Sequence, residues 1–296
     1  FDPDPEDTTL TTPLVTSITQ NGQNFSYTYD NVGNITSVTR NGLTTTYEYD
    51  SLGQLTRVND PHAGKSTMYL YDCGGNMTGY LSAPYTLAPT LEGVNETVFY
   101  TYGDSNWKDK VTAIGGKAIT YDAIGNPLTY DGWTFTWKAG RMLASMVKTG
   151  TNAQFTYDHN GLRIKKVVNG VTTNYTLNDN NIVHMMQGSH DLHFFYDAQG
   201  KPGMVTYNDV DYFYVYNLQG DVVALIDANG TQVVEYGYDA WGNPISKSGS
   251  MVATLGTENL FRYREYVYDE ETKLYYNKEC GIDGEKSLNE VKGELK

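Results

Sequence analysis

The chain has 296 residues and a formal net charge of −14, with 26 Tyr against 9 Pro. Phosphate recognition needs clustered Lys and Arg, so this balance argues against a nucleic-acid partner, and equally against an anionic membrane surface. Apolar content is ordinary and predicts a folded state, while the wealth of Tyr, Thr and Gly favours strands and turns over helices.

The chain opens "FDPDPEDTT", without Met or a signal-peptide pattern, which reads as a mature or excised fragment. Residues 1–17 form an acidic, Pro-rich lead segment. No apolar run approaches membrane-spanning length, so no membrane insertion is expected.

From residue 18 a phrase recurs: aromatic, any residue, Tyr, Asp, two free positions, Gly, then an apolar and Thr-rich run. It reads "YTYDNVG" at 27–33, "YEYDSLG" at 47–53 and "YLYDCGG" at 69–75. The second aromatic anchors each unit: Tyr29, Tyr49, Tyr71, Tyr102, Tyr121, Trp137, Tyr157, Leu177, Tyr196, Tyr216, Tyr238 and Tyr268. Most steps are near the twenty residues that separate Tyr29 from Tyr49. Two steps are longer, and the extra residues at 82–98 and 247–261 read as loop insertions. The Leu177 unit has lost the signature.

Each unit predicts two antiparallel strands and two turns. Residues two apart share a face of a strand, so Tyr27 and Tyr29 point one way while Thr28 and Asp30 point the other. Asp30 opens a turn that closes at Gly33, because Asp accepts a nearby backbone N–H and Gly tolerates positive φ. The same pairing is expected for Asp50 and Gly53, Asp72 and Gly75, Asp122 and Gly125, Asp158 and Gly161, Asp197 and Gly200, and Asp239 and Gly242. The second strand ends in Asn41-Gly42, the pair suited to a two-residue type I′ hairpin; similar pairs stand at 21–22, 131–132, 169–170 and 229–230. One detail breaks strict alternation: Ile35 and Val38, Leu55 and Val58, and Ile164 and Val167 are three apart. Either a bulge intervenes or both faces are partly covered. The sum is an all-β domain over 18–276, a long antiparallel meander.

The Y-x-Y-D-x-x-G phrase in register over most of the chain resembles the YD repeat of the RHS (rearrangement hotspot) family. The strongest stretches are 214–246 and "FRYREYVYDEETKLYY" at 261–276, similar to the region leading into the RHS-associated core. The resemblance implies a sheet that coils into a spiral shell, barrel or curved sheet in large secreted or surface bacterial proteins. In some members the shell encloses a C-terminal toxin, and related repeats occur in animal adhesion proteins. The chain departs from the family after Tyr276: the usual Arg-Tyr-Tyr-Asp-Pro phrase is missing, Glu265 and Lys273 stand where Gly is usual, and residues 277–296 diverge. No self-cleavage residue is carried over, and the core reads as truncated.

Candidate chemistry is sparse. The recurring Asp residues have a turn role by position, whereas a catalytic carboxylate pair needs two unlike environments. Histidines stand at 62, 159, 184, 190 and 193. In a strand, His190 and His193 point to opposite faces, so no metal site is expected. "NDNN" at 178–181 and the acidic cluster at 2–7 lack the spacing of a calcium loop. Cys73 and Cys280 are far apart in sequence and leave disulfide and free thiols both open. Tyr27, Tyr29, Tyr47, Tyr49, Tyr69 and Tyr71 predict an aromatic ladder, read either as cross-strand packing or as a glycan-stacking surface. Leu288, Val291 and Leu295 suit a short amphipathic helix in the tail. The expectation is a non-catalytic, cofactor-free shell or scaffold fragment, extracellular or at the bacterial cell surface. Its partner would be a C-terminal toxin or effector segment, or surface glycans if the chain is an adhesion module. An enzyme, either a glycosidase or a self-cleaving protease, is the third reading.

Overall fold

The computed structural model of the protein describes residues 13–276. It is all-β, with 55% strand and 3% helix, so the turn chemistry and not helical propensity governs the chain. Contacts divide the chain into two compact units, Phe1–Thr101 and Tyr102–Lys296, where the repeat pattern alone reads a single domain over 18–276. Cys280, the acidic cluster at 2–7 and the expected tail helix lie outside the described residues.

The first unit holds β1 (Ser17–Gln20), β2 (Gln23–Tyr29), β3 (Ile35–Arg40), β4 (Leu43–Tyr49), β5 (Leu55–Asp60), β6 (Lys65–Tyr71), β7 (Met77–Pro84) and β8 (Glu96–Thr101). Each strand pairs antiparallel with the next. The second unit begins with a hairpin, β9 (Ala113–Ile114) and β10 (Lys117–Ala118). A meander of fourteen strands follows. Its first half is β11 (Thr120–Tyr121), β12 (Pro127–Tyr130), β13 (Trp133–Lys138), β14 (Met142–Lys148), β15 (Thr151–Tyr157), β16 (Arg163–Val168) and β17 (Val171–Asn178). Its second half is β18 (Asn181–Gln187), β19 (His190–Tyr196), β20 (Pro202–Tyr207), β21 (Val210–Tyr216), β22 (Val222–Ile226), β23 (Gln232–Tyr238) and β24 (Pro244–Ser248). A one-turn helix α1 (Leu255–Glu258), a tight turn at Tyr263–Glu265 and a hairpin of β25 (Val267–Asp269) and β26 (Leu274–Tyr276) complete it.

A bulge at most anchors accounts for the apolar spacing. Thr28 faces Ser37 but Tyr29 faces Ile35, so Thr36 is an extra residue. Thr28 hydrogen-bonds both Thr36 and Ser37, at 2.8 and 2.6 Å, which puts two successive residues on the polar side and returns Ile35 and Val38 to one face. The same step follows Tyr49, Tyr71, Trp137, Tyr157, Tyr196, Tyr216 and Tyr238. The β16 pair is corrected by one residue. Ile164 is the bulged residue there, and the positions equivalent to Ile35 and Val38 are Arg163 and Lys166, both buried.

The anchor hydroxyls bind the bulged strands. Tyr49 donates to Ile35 O at 3.0 Å, Tyr71 to Leu55 O at 2.9 Å, Tyr157 to Leu143 O at 2.9 Å and Tyr238 to Val222 O at 2.8 Å. In each case the acceptor is the residue opposite the preceding anchor, so each of these units is fastened to the one before it. Trp137 does the same through Nε1, to Pro127 O at 2.6 Å.

Two-residue hairpins with positive φ form at Asn21-Gly22, Asn41-Gly42, Asp131-Gly132 and Asn169-Gly170. The expected hairpin at 229–230 is instead the end of a longer turn: Gly230 N–H donates to Asp227 O, and Asp227 Oδ1 accepts from Asn229 and Thr231 N–H. An Asp three residues before the Gly overrides the Asn-Gly pair.

Both expected loop insertions are shorter or more ordered than read. Strands cover 82–84 and 96–98, and the loop between them folds back over Arg57, whose guanidinium donates to the carbonyls of Thr86, Ala88 and Pro89. Residues 247–261 contain α1 and the buried Leu255, Leu260 and Phe261. Leu255, Leu260 and Phe261 of this second segment belong to the core.

Candidate functional site

The sequence-predicted turn carboxylates are all engaged with their own turns. Asp30 Oδ1 accepts the N–H of Val32 and Asn34, at 3.0 and 2.8 Å, and Oδ2 accepts the Asn34 amide at 2.9 Å. Asp50, Asp72, Asp122 and Asp239 repeat this three-bond pattern with Gln54, Asn76, Asn126 and Asn243. Asp158 and Asp197 make the two backbone bonds. The glycines that close these turns, Gly33, Gly53, Gly75, Gly125, Gly161, Gly200 and Gly242, have φ between 75° and 91°. Hydrogen bonds from the Asn76 side chain and backbone hold the Asp72 carboxyl below its ordinary range.

Tyr27 and Tyr69 are buried, while Tyr29, Tyr47, Tyr49 and Tyr71 are half-buried. They sit on β2, β4 and β6, every second strand, and face Val38, Ile35, Val58, Leu55, Tyr80 and Met77 across the ladder. A continuous tyrosine ladder therefore does not form in the first unit, because the meander interposes an aliphatic strand between successive repeats. Burial, helped by the Asp50 charge, pushes the Tyr71 phenol up to about 12, so it remains a hydrogen-bond donor.

The densest buried chemistry lies in the second unit, where the chain after β24 covers one face of the sheet. Phe261 is the apolar wedge: its ring meets Phe194 edge-on at 5.2 Å and Tyr196 and Tyr214 at 6.2 Å. Arg262 beside it is 2% exposed. Its guanidinium donates to Tyr236 OH at 2.9 Å and to the carbonyls of Asn259 and Gly256, pairs with Glu270 at 3.3 Å, and lies 4.1 Å over the Tyr236 ring. Its backbone carbonyl accepts from Val222 N–H at 3.0 Å, tying the segment to β22.

A second anchor is Asp269, at the end of β25. Its carboxylate pairs with Arg163 at 2.5 Å and Lys166 at 3.0 Å, both on β16. Lys166 also reaches Glu271 at 2.8 Å. Arg163 is sandwiched 4.1 Å from the Tyr276 ring and 4.5 Å from Phe155. Burial alone would push Asp269 up, but the two cations outweigh it and hold the carboxyl below its ordinary range. Such a carboxylate is a fixed charge, poorly suited to proton transfer. Asp221 is the reverse case. Burial raises it, although Asn217 donates to one carboxylate oxygen at 2.6 Å and Arg264 N–H to the other at 3.1 Å. Asp221 positions backbone, whereas Asp269 pairs with two side-chain cations.

Sequence reading missed Arg163, Lys166, Arg262 and Asp269. The readable signal was the break in pattern at 163–166, where cations occupy positions that are apolar in the β3 unit. The Gly-replacing residues were legible: Glu265 and Lys273 both take φ of 62°, a left-handed conformation natural to Gly.

The Teneurin YD-shell family profile matches residues 15–283. The chain belongs to this family. Among curated relatives, the "tRNA3(Ser)-specific nuclease WapA" of Bacillus spizizenii is 34% identical over 215 residues, 70% of this chain. The "tRNA nuclease WapA" of Bacillus subtilis strain 168 is 33% identical over the same length. The chain spans about a tenth of these relatives, 9% of each. Solved structures share the YD-shell fold at low identity. A TcdB2–TccC3–Cdc42 complex aligns with a TM-score of 0.65 at 18% identity, over 86% of this chain and 15% of that one. The Tc holotoxin pore of Photorhabdus luminescens aligns at 0.58 and 17%, over the same shares. No helix among the described residues is long and apolar enough to cross a membrane.

Proposed function

We propose that this chain is wall and inner lining of an extracellular bacterial YD-shell, a non-catalytic housing for an associated C-terminal toxin segment. The observation that carries the reading is the use of the polar residues. Turn aspartates, anchor tyrosines and Arg262 are committed to holding backbone, and the Asp269 cluster to pairing buried charges. The relatives named as tRNA nucleases support the toxin association, and the small share of them that this chain matches fits a shell segment better than a nuclease. The strongly acidic composition also disfavours tRNA as a direct ligand. The adhesion alternative has weaker support, because the repeat tyrosines of β2, β4 and β6 are half-buried or buried and leave no exposed aromatic row for sugars.

The test is protease protection and cryo-electron microscopy of the full polypeptide encoded by the gene. A hollow β-shell with its C-terminal segment resistant to protease is the expected result. A freely digested C-terminal segment outside a filled sheet stack would refute the housing. The purified chain should leave tRNA intact, and specific tRNA cleavage by it would refute the non-catalytic reading.

A further inference from the structure

One polar cluster serves neither turns nor the covering segment. On the face of the second sheet opposite its core, β18 and β19 place His184 directly across from His193. Their imidazoles stack at a centroid distance of 4.4 Å and an angle of 18°. Asp191, two residues before His193 on the same side of β19, sends Oδ1 to 2.7 Å from His184 Nε2 and 3.2 Å from His193 Nε2. All three ligand atoms lie within 4.8 Å of one another. The remaining ring nitrogen of His184 faces Thr176 Oγ1 at 3.5 Å, on the neighbouring β17. His190 lies on the other face, against Glu258 at 3.0 Å and Tyr207 OH at 3.2 Å, as strand alternation requires.

We propose that His184, Asp191 and His193 form a site for a divalent transition cation of the zinc–copper class. The donor set is two imidazoles and one carboxylate, which suits zinc, copper or nickel and not the oxygen-seeking calcium and magnesium. Zinc bonds of about 2.0–2.1 Å place neighbouring tetrahedral ligands about 3.3 Å apart; the Asp191–His193 pair already stands at 3.2 Å, and the Asp191–His184 pair would open from 2.7 Å. Each ligand is partly exposed, with side-chain exposures of 23%, 45% and 49% for His184, Asp191 and His193, so an ion can enter from solvent. Three protein donors leave a coordination position open to water or to a fourth ligand. The ion would clamp β18 to β19 across the ladder. The site is independent of the housing role.

The experiment is calorimetric titration of the untagged, chelator-stripped full chain with zinc chloride. One equivalent should bind and raise the melting temperature. His184→Gln, His193→Gln and Asp191→Asn should each weaken binding at least tenfold, while their metal-free melting curves match the parent because the side chains point away from the core. His190→Gln should leave binding unchanged. Electron paramagnetic resonance of the copper(II) form should show two imidazole nitrogens. Absence of a saturable one-equivalent isotherm with zinc and with copper would overturn the site. Equal affinity in both His184→Gln and His193→Gln, loss confined to one of the three variants, or loss on His190→Gln would overturn it as well.

Discussion

The same repeat builds both units, yet they bury it differently. In the first unit every residue of β3 is half-buried, and the apolar face carries a few fully buried groups such as Phe25, Tyr27 and Val58. In the second, Val222, Leu225 and Val234 reach zero exposure beneath Leu255, Leu260 and Phe261. The strands, bulges and turns are alike, so the repeat code makes the sheet and a separate, non-repeated segment makes the deep core. Burial of an apolar side chain contributes only when something covers it. Inside that cover the repeat positions change character, and cations at 163 and 166 replace aliphatic residues because Asp269 arrives to meet them.

The contrast breaks most severely at Asp269. Asp269→Ala strands Arg163 as a buried cation and leaves Lys166 only its Glu271 contact, and removing one partner of such a cluster costs about 3–5 kcal/mol. Thermal unfolding should show the loss. Hydrogen exchange should place it in β16 and β25 while protection in β2–β6 stays unchanged. Equal loss of protection in both units would mean that they do not unfold separately.

Glycine at one repeat position probes the same difference. An added Cβ at Gly53 meets nothing within 4 Å, whereas at Gly242 it runs into the Tyr263 ring of the covering segment. Gly53→Ala should cost about 1–2 kcal/mol from left-handed strain alone. Gly242→Ala should cost more than that, because Tyr263 must also move. Matching denaturant midpoints for the two variants would show that the cover is not held against the sheet at this turn.

Tyr49→Phe and Tyr157→Phe each remove the hydroxyl that binds the preceding unit, for about 1 kcal/mol. Similar losses in the two units would show that this fastening belongs to the repeat and not to the cover, and urea melts measure it. In the opposite direction, Lys273→Gly relieves a left-handed non-Gly residue and should stabilise the second unit by about 0.5–1 kcal/mol, read as a higher melting temperature. A lower melting temperature would mean that the Lys273–Glu270 pair, 3.0 Å apart, outweighs the strain.

Acid has the smallest effect per residue. The folded Asp72 and Asp227 carboxyls lie below their unfolded value near 3.8, through hydrogen bonds from Asn76 and from the Thr231 backbone. A depressed carboxyl contributes stability above its unfolded pKa and loses it as pH falls through the folded one. Melting temperature should therefore hold above about pH 4 and fall below it. Asp72→Asn should flatten that acid limb slightly, and an unchanged limb would show that the turn bonds do not depend on ionisation.

Much of this molecule is written locally. Asp and Gly three apart, Asn-Gly pairs and alternating Tyr determined strands, turns and the meander, because each acts within one hairpin and needs no distant partner. Apolar residues three apart at 35 and 38 left a bulge or two covered faces open until the register decided for the bulge, while the left-handed sites at 265 and 273 were visible as departures from Gly. The cover and the clusters were not legible. Asp269 meets Arg163 across 106 residues, and His184 becomes the neighbour of His193 only through the strand register. The insertion at 247–261 could be read, but not its burial: Leu255, Leu260 and Phe261 have no period of their own, and only the face they close gives them a place. Local sequence rules set backbone geometry through short-range sterics and hydrogen bonds. Which buried charges are tolerated, and which face is dry, is decided by desolvation, and that depends on what the rest of the chain brings to the surface.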